Sequence, residues 1–111
     1  MEIYIIGDVH GKYKQLLSLL DKLPQNAHIC FVGDLIDRGA YSDKVVDLVI
    51  ERGYDCVLGN HEQMMLHSYK NKALYMDLWL QNGGKKTLNR YKYANPNLLH
   101  KHLIFFKELP Y

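Results

Sequence analysis

HICFVGDLIDRG, residues 28–39, is the stretch on which the fold of this chain turns. Residues 28–32 have the length and apolar composition of a short strand, and Gly33-Asp34 ends it. The same construction recurs on either side: EIYII at 2–6 runs into GDVHG at 7–11, and YDCVL at 54–58 runs into GNHE at 59–62. Gly7, Gly33 and Gly59 are therefore equally spaced, 26 residues apart, each directly after a strand-like run.

Helical patterns fill the gaps. Residues 12–22 carry a stripe formed by Leu16, Leu17, Leu19 and Leu20, continued by Leu23 and closed by Pro24. Residues 42–52 repeat it with Val45, Val46, Leu48, Val49 and Ile50, after Ser42 as N-cap and before Gly53 as C-cap. The order is β-α-β-α-β, and crossovers of this length require parallel strands with right-handed connections. Further helices are predicted at about 61–70, at 73–82 with Asn82-Gly83-Gly84 as the stop, and at 97–108 between Pro96 and Pro110. The expectation is an α/β fold: a parallel β-α-β-α-β sheet followed by helices.

With 111 residues, 48% hydrophobic and 23% charged, residues 1–111 read as one domain without a linker. A net charge of +2 makes no case for a nucleic-acid partner, and no apolar run approaches the roughly 20 residues of a membrane span. No basic segment precedes the first strand, so a cytoplasmic location is expected. Cys30 and Cys56 lie inside apolar strands at a separation that fits no metal pattern, and read as buried reduced thiols.

In an open parallel sheet, ligands bind outside the carboxyl ends of the strands, where all three motifs begin. Asp8 and Asp34 supply hard oxygen donors, His10 an imidazole and Asn60 a neutral carbonyl oxygen, a mixture suited to manganese, iron or zinc more than to calcium. A shared aspartate would bridge two cations about 3.5–4 Å apart, an arrangement that activates water for in-line attack on phosphorus. Arg38 offers a planar donor fork matched to phosphate oxygens. His61 is the candidate acid for the departing oxygen, with Asp37 orienting its imidazole. Each residue alone has a plainer reading: Asn60 and Gln63 as a helix N-cap and its partner, Asp37 and Arg38 as a surface ion pair. Their joint recurrence at fixed offsets after three strands outweighs those readings.

GDVHG, GDLIDRG and GNHE closely resemble the three N-terminal motifs of the calcineurin-like metallophosphoesterases, in particular the phosphoprotein phosphatase branch with its bacterial and phage serine/threonine phosphatases. WLQNGGKKTLNRY at 79–91 and HLIFFKELPY at 102–111 are similar to the stretches that follow in bacterial members. The resemblance implies that Asp8, His10 and Asp34 hold a first metal, and that Asp34 and Asn60 contribute to a second. It further implies that Arg38 and Asn60 contact phosphate, and that His61 with Asp37 forms the acid pair. Manganese is the favoured ion, with iron or zinc as alternatives. The symmetrical dinucleoside tetraphosphatases usually carry a small residue in place of Asp37 and Asp in place of Glu62, so the two residues present here favour a phosphoprotein substrate.

The family is longer. Its C-terminal half supplies two further histidine ligands, another phosphate-binding arginine and the second sheet of a sandwich. The expectation for residues 1–111 is therefore an incomplete N-terminal half that binds one cation weakly and pairs with a C-terminal half or complementary chain. Two other readings stay open, a non-catalytic interaction module and a hydrolase of dinucleoside tetraphosphates or other small phosphoesters. His67, His100 and His102 are expected in solvated or packing roles, and Trp79, Thr87 and Tyr91 in helix packing, with lining of the approach to the site as the alternative. The strands are apolar on both faces, which predicts one uncovered apolar sheet face.

Overall fold

The computed structural model describes residues 2–111. The chain runs β1 (Ile3–Ile6), α1 (Tyr13–Asp21), β2 (His28–Phe31), α2 (Ser42–Glu51), β3 (Asp55–Cys56), α3 (Asn60–Lys70) and α4 (Lys72–Trp79). A π turn at Leu80–Gly84 follows, then α5 (Lys85–Lys92) and α6 (Pro96–Glu108). The strands form a parallel sheet in the order β1-β2-β3, with Ile3 opposite His28, Ile6 opposite Phe31 and Phe31 opposite Cys56. Parallel pairing follows from the helical crossovers, because chain that leaves the top of one strand must return to the bottom of the next.

The alternation of side chains along these strands divides the sheet into two unlike faces. Ile6, Ile29, Phe31 and Cys56 are buried, packed in one cluster with Leu16 and Leu20 of α1 and with Val45, Val46, Leu48 and Val49 of α2. Val45, Val46 and Val49 are fully excluded from solvent, and each contributes roughly 1.5–3 kcal/mol through burial. On the opposite face Ile3 is 64% exposed, Ile5 71% and Val32 39%. The uncovered apolar face expected from the strand composition is present.

Several boundaries differ from the sequence reading. Strand β3 has two residues rather than five, the shortest pairing on an edge. Ser42 does not cap α2; Tyr41 occupies the cap, and the Ser42 hydroxyl is buried and accepts a hydrogen bond from the Asp37 backbone N–H at 3.0 Å. Asn60 is the first residue of α3, and Gly59 is its N-cap, with the Gly59 N–H donating to Glu62 at 3.2 Å. The reading of Asn60 and Gln63 as a capping pair is thereby replaced. Helix α5 lies outside the expected elements, because its largely polar sequence follows directly on the Asn82-Gly83-Gly84 break. Cys30 is only half-buried, whereas Cys56 is buried and its thiol is pushed up to about 12 by that burial; both are free thiols.

Behind α2, helices α5 and α6 close the molecule through a buried polar relay. His102 is fully buried, with Nε2 donating to Asp47 Oδ1 at 2.7 Å and Nδ1 accepting from the Tyr91 hydroxyl at 2.5 Å. Burial lowers the His102 imidazole below its ordinary value, consistent with a neutral ring whose two nitrogens have opposite roles. His102 and Tyr91 thus have the packing role expected of them, and His67 and His100 are exposed. After α6 the chain becomes extended at Leu109 and returns to the segment that follows β3, where Leu58 N–H donates to the Pro110 carbonyl at 2.6 Å. No helix among the described residues is long and apolar enough to cross a membrane.

Candidate metal and phosphate site

The three Gly-led loops meet at the carboxyl rim of the sheet, and backbone contact forces them together. Gly33 has φ of +88°, and a Cβ there would lie 2.4 Å from the Gly59 nitrogen; one on Gly59 would lie 2.4 Å from the Asp34 nitrogen. Only glycine permits two chains to pass so closely. Gly7 is different: a Cβ there would meet no atom within 4 Å, so its place in the repeat reflects no close approach.

Four non-glycine residues of these loops adopt left-handed backbone: His10 (φ 48°), Asp34 (φ 53°), Asp37 (φ 77°) and Arg38 (φ 69°). Such conformations cost of order 1–3 kcal/mol each and persist only where neighbours enforce them. The neighbours here are specific. Glu62, fully buried, accepts backbone N–H groups from Asp34 (2.6 Å), Leu35 (2.9 Å) and Ile36 (3.4 Å). The Asp37 N–H is shared between Ser42 Oγ and Thr87 Oγ1, each at 3.0 Å, and the Arg38 N–H donates to the Gly83 carbonyl at 2.9 Å.

The result is a cluster of donors. Asp8, His10 and Asp34 each present one ligand atom, and these atoms all lie within 4.8 Å of one another. His10 Nδ1 donates to the Ile36 carbonyl at 2.9 Å, which fixes the ring and leaves Nε2 turned toward Asp8, 3.9 Å from Oδ2. Orientation of one imidazole nitrogen by a carbonyl bond to the other is the usual support for a metal ligand. Two carboxylates and one imidazole suit a first-row divalent ion at about 2.0–2.2 Å per ligand. With those atoms within 4.8 Å of one another and the Asp8 side chain exposed, the residues present fit a single cation.

Asn60 lies beside this cluster by backbone, since the next residue, His61, donates its N–H to Asp34 Oδ1 at 3.0 Å. The His61 ring stands edge-on to the His10 ring with centroids 4.7 Å apart. Its Nδ1 is 2.8 Å from Asp37 Oδ2. Asp37 is wholly buried, and that burial raises its carboxyl above the usual range, with the His61 bond as the first opposing effect. Arg38 is exposed at the same rim, its Cγ against Gly83.

Of the two roles open for Trp79 and Thr87, helix packing and lining the approach to the site, the structure places both beside the site. Both are fully buried, and both touch Asp37: Thr87 through the backbone N–H, Trp79 by donating Nε1–H to Oδ2 at 2.8 Å. The sequence signal that marks them is Trp-x3-Gly-Gly-x2-Thr at 79–87, whose two glycines sit against Arg38 and the indole.

A parallel sheet whose three loops converge on this donor set is an architecture able to hold a divalent cation at its carboxyl rim. The family model for calcineurin-like phosphoesterases matches residues 1–109, and the chain belongs to that family. It is 39% identical over 85 residues to serine/threonine-protein phosphatase 1 of Salmonella typhimurium, a match covering 74% of this chain and 38% of the relative. It is 38% identical over 76 residues to the zinc-dependent endopolyphosphatase of Saccharomyces cerevisiae, covering 63% of this chain and 23% of the relative. Among solved structures, a candidate diadenosine tetraphosphatase superposes with TM-score 0.64 at 25% identity, covering 97% of this chain and 42% of that one. The chain thus spans less than half the length of these relatives.

Proposed function

We propose that residues 1–111 are the N-terminal half of one phosphoesterase domain, which hydrolyses phosphomonoesters with divalent metal and acts on phosphoserine or phosphothreonine in proteins. The observation that carries this reading is the placement of Asp8, His10 and Asp34 donors within 4.8 Å of one another, next to a His61 ring 4.7 Å from His10.

Asp8, His10 and Asp34 would hold one cation, and Asp34 with Asn60 would contribute to a second whose remaining ligands come from a C-terminal half or complementary chain. Manganese fits the donor set best. When bound, the ions supply charge stabilisation at the phosphoryl group and activate water as a nucleophile. The chain's own residues do the rest. Arg38 and Asn60 bind phosphoryl oxygens, Arg38 by its bidentate fork. His61 donates a proton to the departing oxygen from Nε2, because Nδ1 is engaged by Asp37. The buried carboxyl of Asp37 holds that imidazole in one orientation, and Glu62 keeps the Asp34 loop in its strained form. Asp37 and Glu62 favour a phosphoprotein over a dinucleoside tetraphosphate.

Phosphate release from a phosphothreonine peptide with added manganese tests the proposal, on the chain alone and with a C-terminal phosphoesterase fragment. Turnover that appears or rises with the fragment and is lost in Asp34→Asn is expected. Metal binding without turnover in either case would instead make the chain an interaction module, and preferential cleavage of diadenosine tetraphosphate would reassign the substrate.

A further inference from the structure

The stretch from Trp79 to Thr87 takes no part in the chemistry proposed above, yet three of its groups close on the loop that carries Asp37 and Arg38. The Trp79 indole N–H donates to Asp37 Oδ2, the Gly83 carbonyl accepts the Arg38 N–H, and Thr87 Oγ1 accepts the Asp37 N–H. The seating leaves no steric slack. A Cβ on Gly84 would lie 2.5 Å from the indole, and one on Gly83 would lie 2.6 Å from Arg38 Cγ.

Oδ2 of Asp37 receives two donors, His61 Nδ1 and Trp79 Nε1, each at 2.8 Å, whereas Oδ1 is buried with no hydrogen-bond partner among the described residues. Without the indole, the carboxylate would be free to turn and offer either oxygen to His61, or to accept from the ring at a different angle. An indole N–H only donates, so it selects Oδ2 as a pure acceptor. His61 Nδ1 then carries a proton, and Nε2 is the ring nitrogen left to take up and deliver the proton for the departing oxygen. Because the His61 ring also stands edge-on to His10, any rotation of it would change its placement against the metal donors.

We infer that Trp79 is a positioning residue for the Asp37 and His61 pair: its indole N–H locks the rotamer of the Asp37 carboxylate, which fixes the ring plane of His61. The catalytic consequence rests on the phosphoesterase reading above; the lock itself does not. Trp79 is the single tryptophan of the chain, so its indole signal is unambiguous in a nitrogen-15 spectrum.

The test uses the full chain and its Trp79→Phe and Asp37→Asn variants. Nitrogen-15 histidine spectra recorded at about pH 8.5, where an ordinary imidazole is neutral, should show one sharp set of His61 ring resonances in the parent chain and shifted or broadened ones in Trp79→Phe, as the Nδ1–H bond to Asp37 loses its fixed angle. Should Trp79→Phe fail to fold, the isosteric Asp37→Asn still reads the lock, since the indole N–H resonance is expected to move upfield. In turnover with manganese, Trp79→Phe should lower kcat about tenfold or more for phenyl phosphate at unchanged KM. It should lower kcat less than about twofold for dinitrophenyl phosphate, whose leaving group needs no proton. Unchanged His61 ring resonances together with an unmoved indole resonance would overturn the inference, as would equal slowing of the two phosphates. Absence of turnover in every chain, with the C-terminal fragment added, would count against the phosphoesterase reading, while the spectra would still decide on Trp79.

Discussion

Glu62 is the residue on which the strained loop most depends. Its carboxylate, wholly buried, receives the N–H groups of Asp34, Leu35, Ile36 and Gly59, and burial pushes it up to about 7 against those donors. Glu62→Ala would leave several buried N–H groups without an acceptor, at about 1–3 kcal/mol for each such group. A loss of at least about 3 kcal/mol in urea denaturation is expected, and a change within about 1 kcal/mol would contradict the clamp. Glu62→Asp, one methylene shorter, should fall between the two. His102 gives a second residue-scale expectation, in the pH dependence. Its folded-state value lies below the ordinary 6.5 because of burial, so the folded chain binds fewer protons than the unfolded chain as acid is added. The stabilisation is present above about pH 6.5 and declines as pH falls below it, by at most about 1.4 kcal/mol per pH unit for one proton. His102→Gln should flatten that slope in denaturation curves at about pH 7 and 5.5, and an unaltered slope would assign the effect elsewhere.

At the scale of elements, the contact between the second and third loops is a glycine pair. Gly33→Ala would place a methyl 2.4 Å from the Gly59 nitrogen at a φ of +88°, a backbone clash that rotamer change does not relieve. The chain is expected to lose cooperative folding by circular dichroism, whereas Gly7→Ala, with nothing nearby, should melt within a few degrees of the parent. Near-parent melting of Gly33→Ala would show that the loops part easily. These elements also show what could be read in advance. The β-α-β-α-β order, parallel pairing and meeting of three loops were legible because equal glycine spacing and two leucine-valine stripes encode them locally. Ser42, Trp79 and Thr87 were not, because each acts through a hydrogen bond to Asp37, and no periodicity of their own segments reports a partner 5, 42 or 50 residues away. Helix α5 escaped for a related reason: the Gly83-Gly84 step looks like a terminator, yet its left-handed turn seats Arg38 and the indole and the chain resumes as helix.

For the molecule as a whole, one sheet face is packed and the other is not. Ile3, Ile5 and Val32 form an exposed apolar surface beside the His28 and Asp55 pair, joined at 2.5 Å. Such a surface binds hydrophobic dyes and promotes self-association. The double variant Ile3→Thr, Ile5→Thr should bind less dye and elute as a smaller species in gel filtration, and a parent chain that is monomeric and dye-silent would contradict this reading. The central claim concerns the opposite end of the sheet, where two carboxylates and an imidazole stand close enough to share an ion. Titration of the metal-free chain with manganese, followed by calorimetry and elemental analysis after gel filtration, tests it most directly. One weakly held ion per chain, lost in Asp34→Asn while circular dichroism is unchanged, is the expected result. Failure to bind, binding indifferent to Asp34, or two tightly held ions would contradict it.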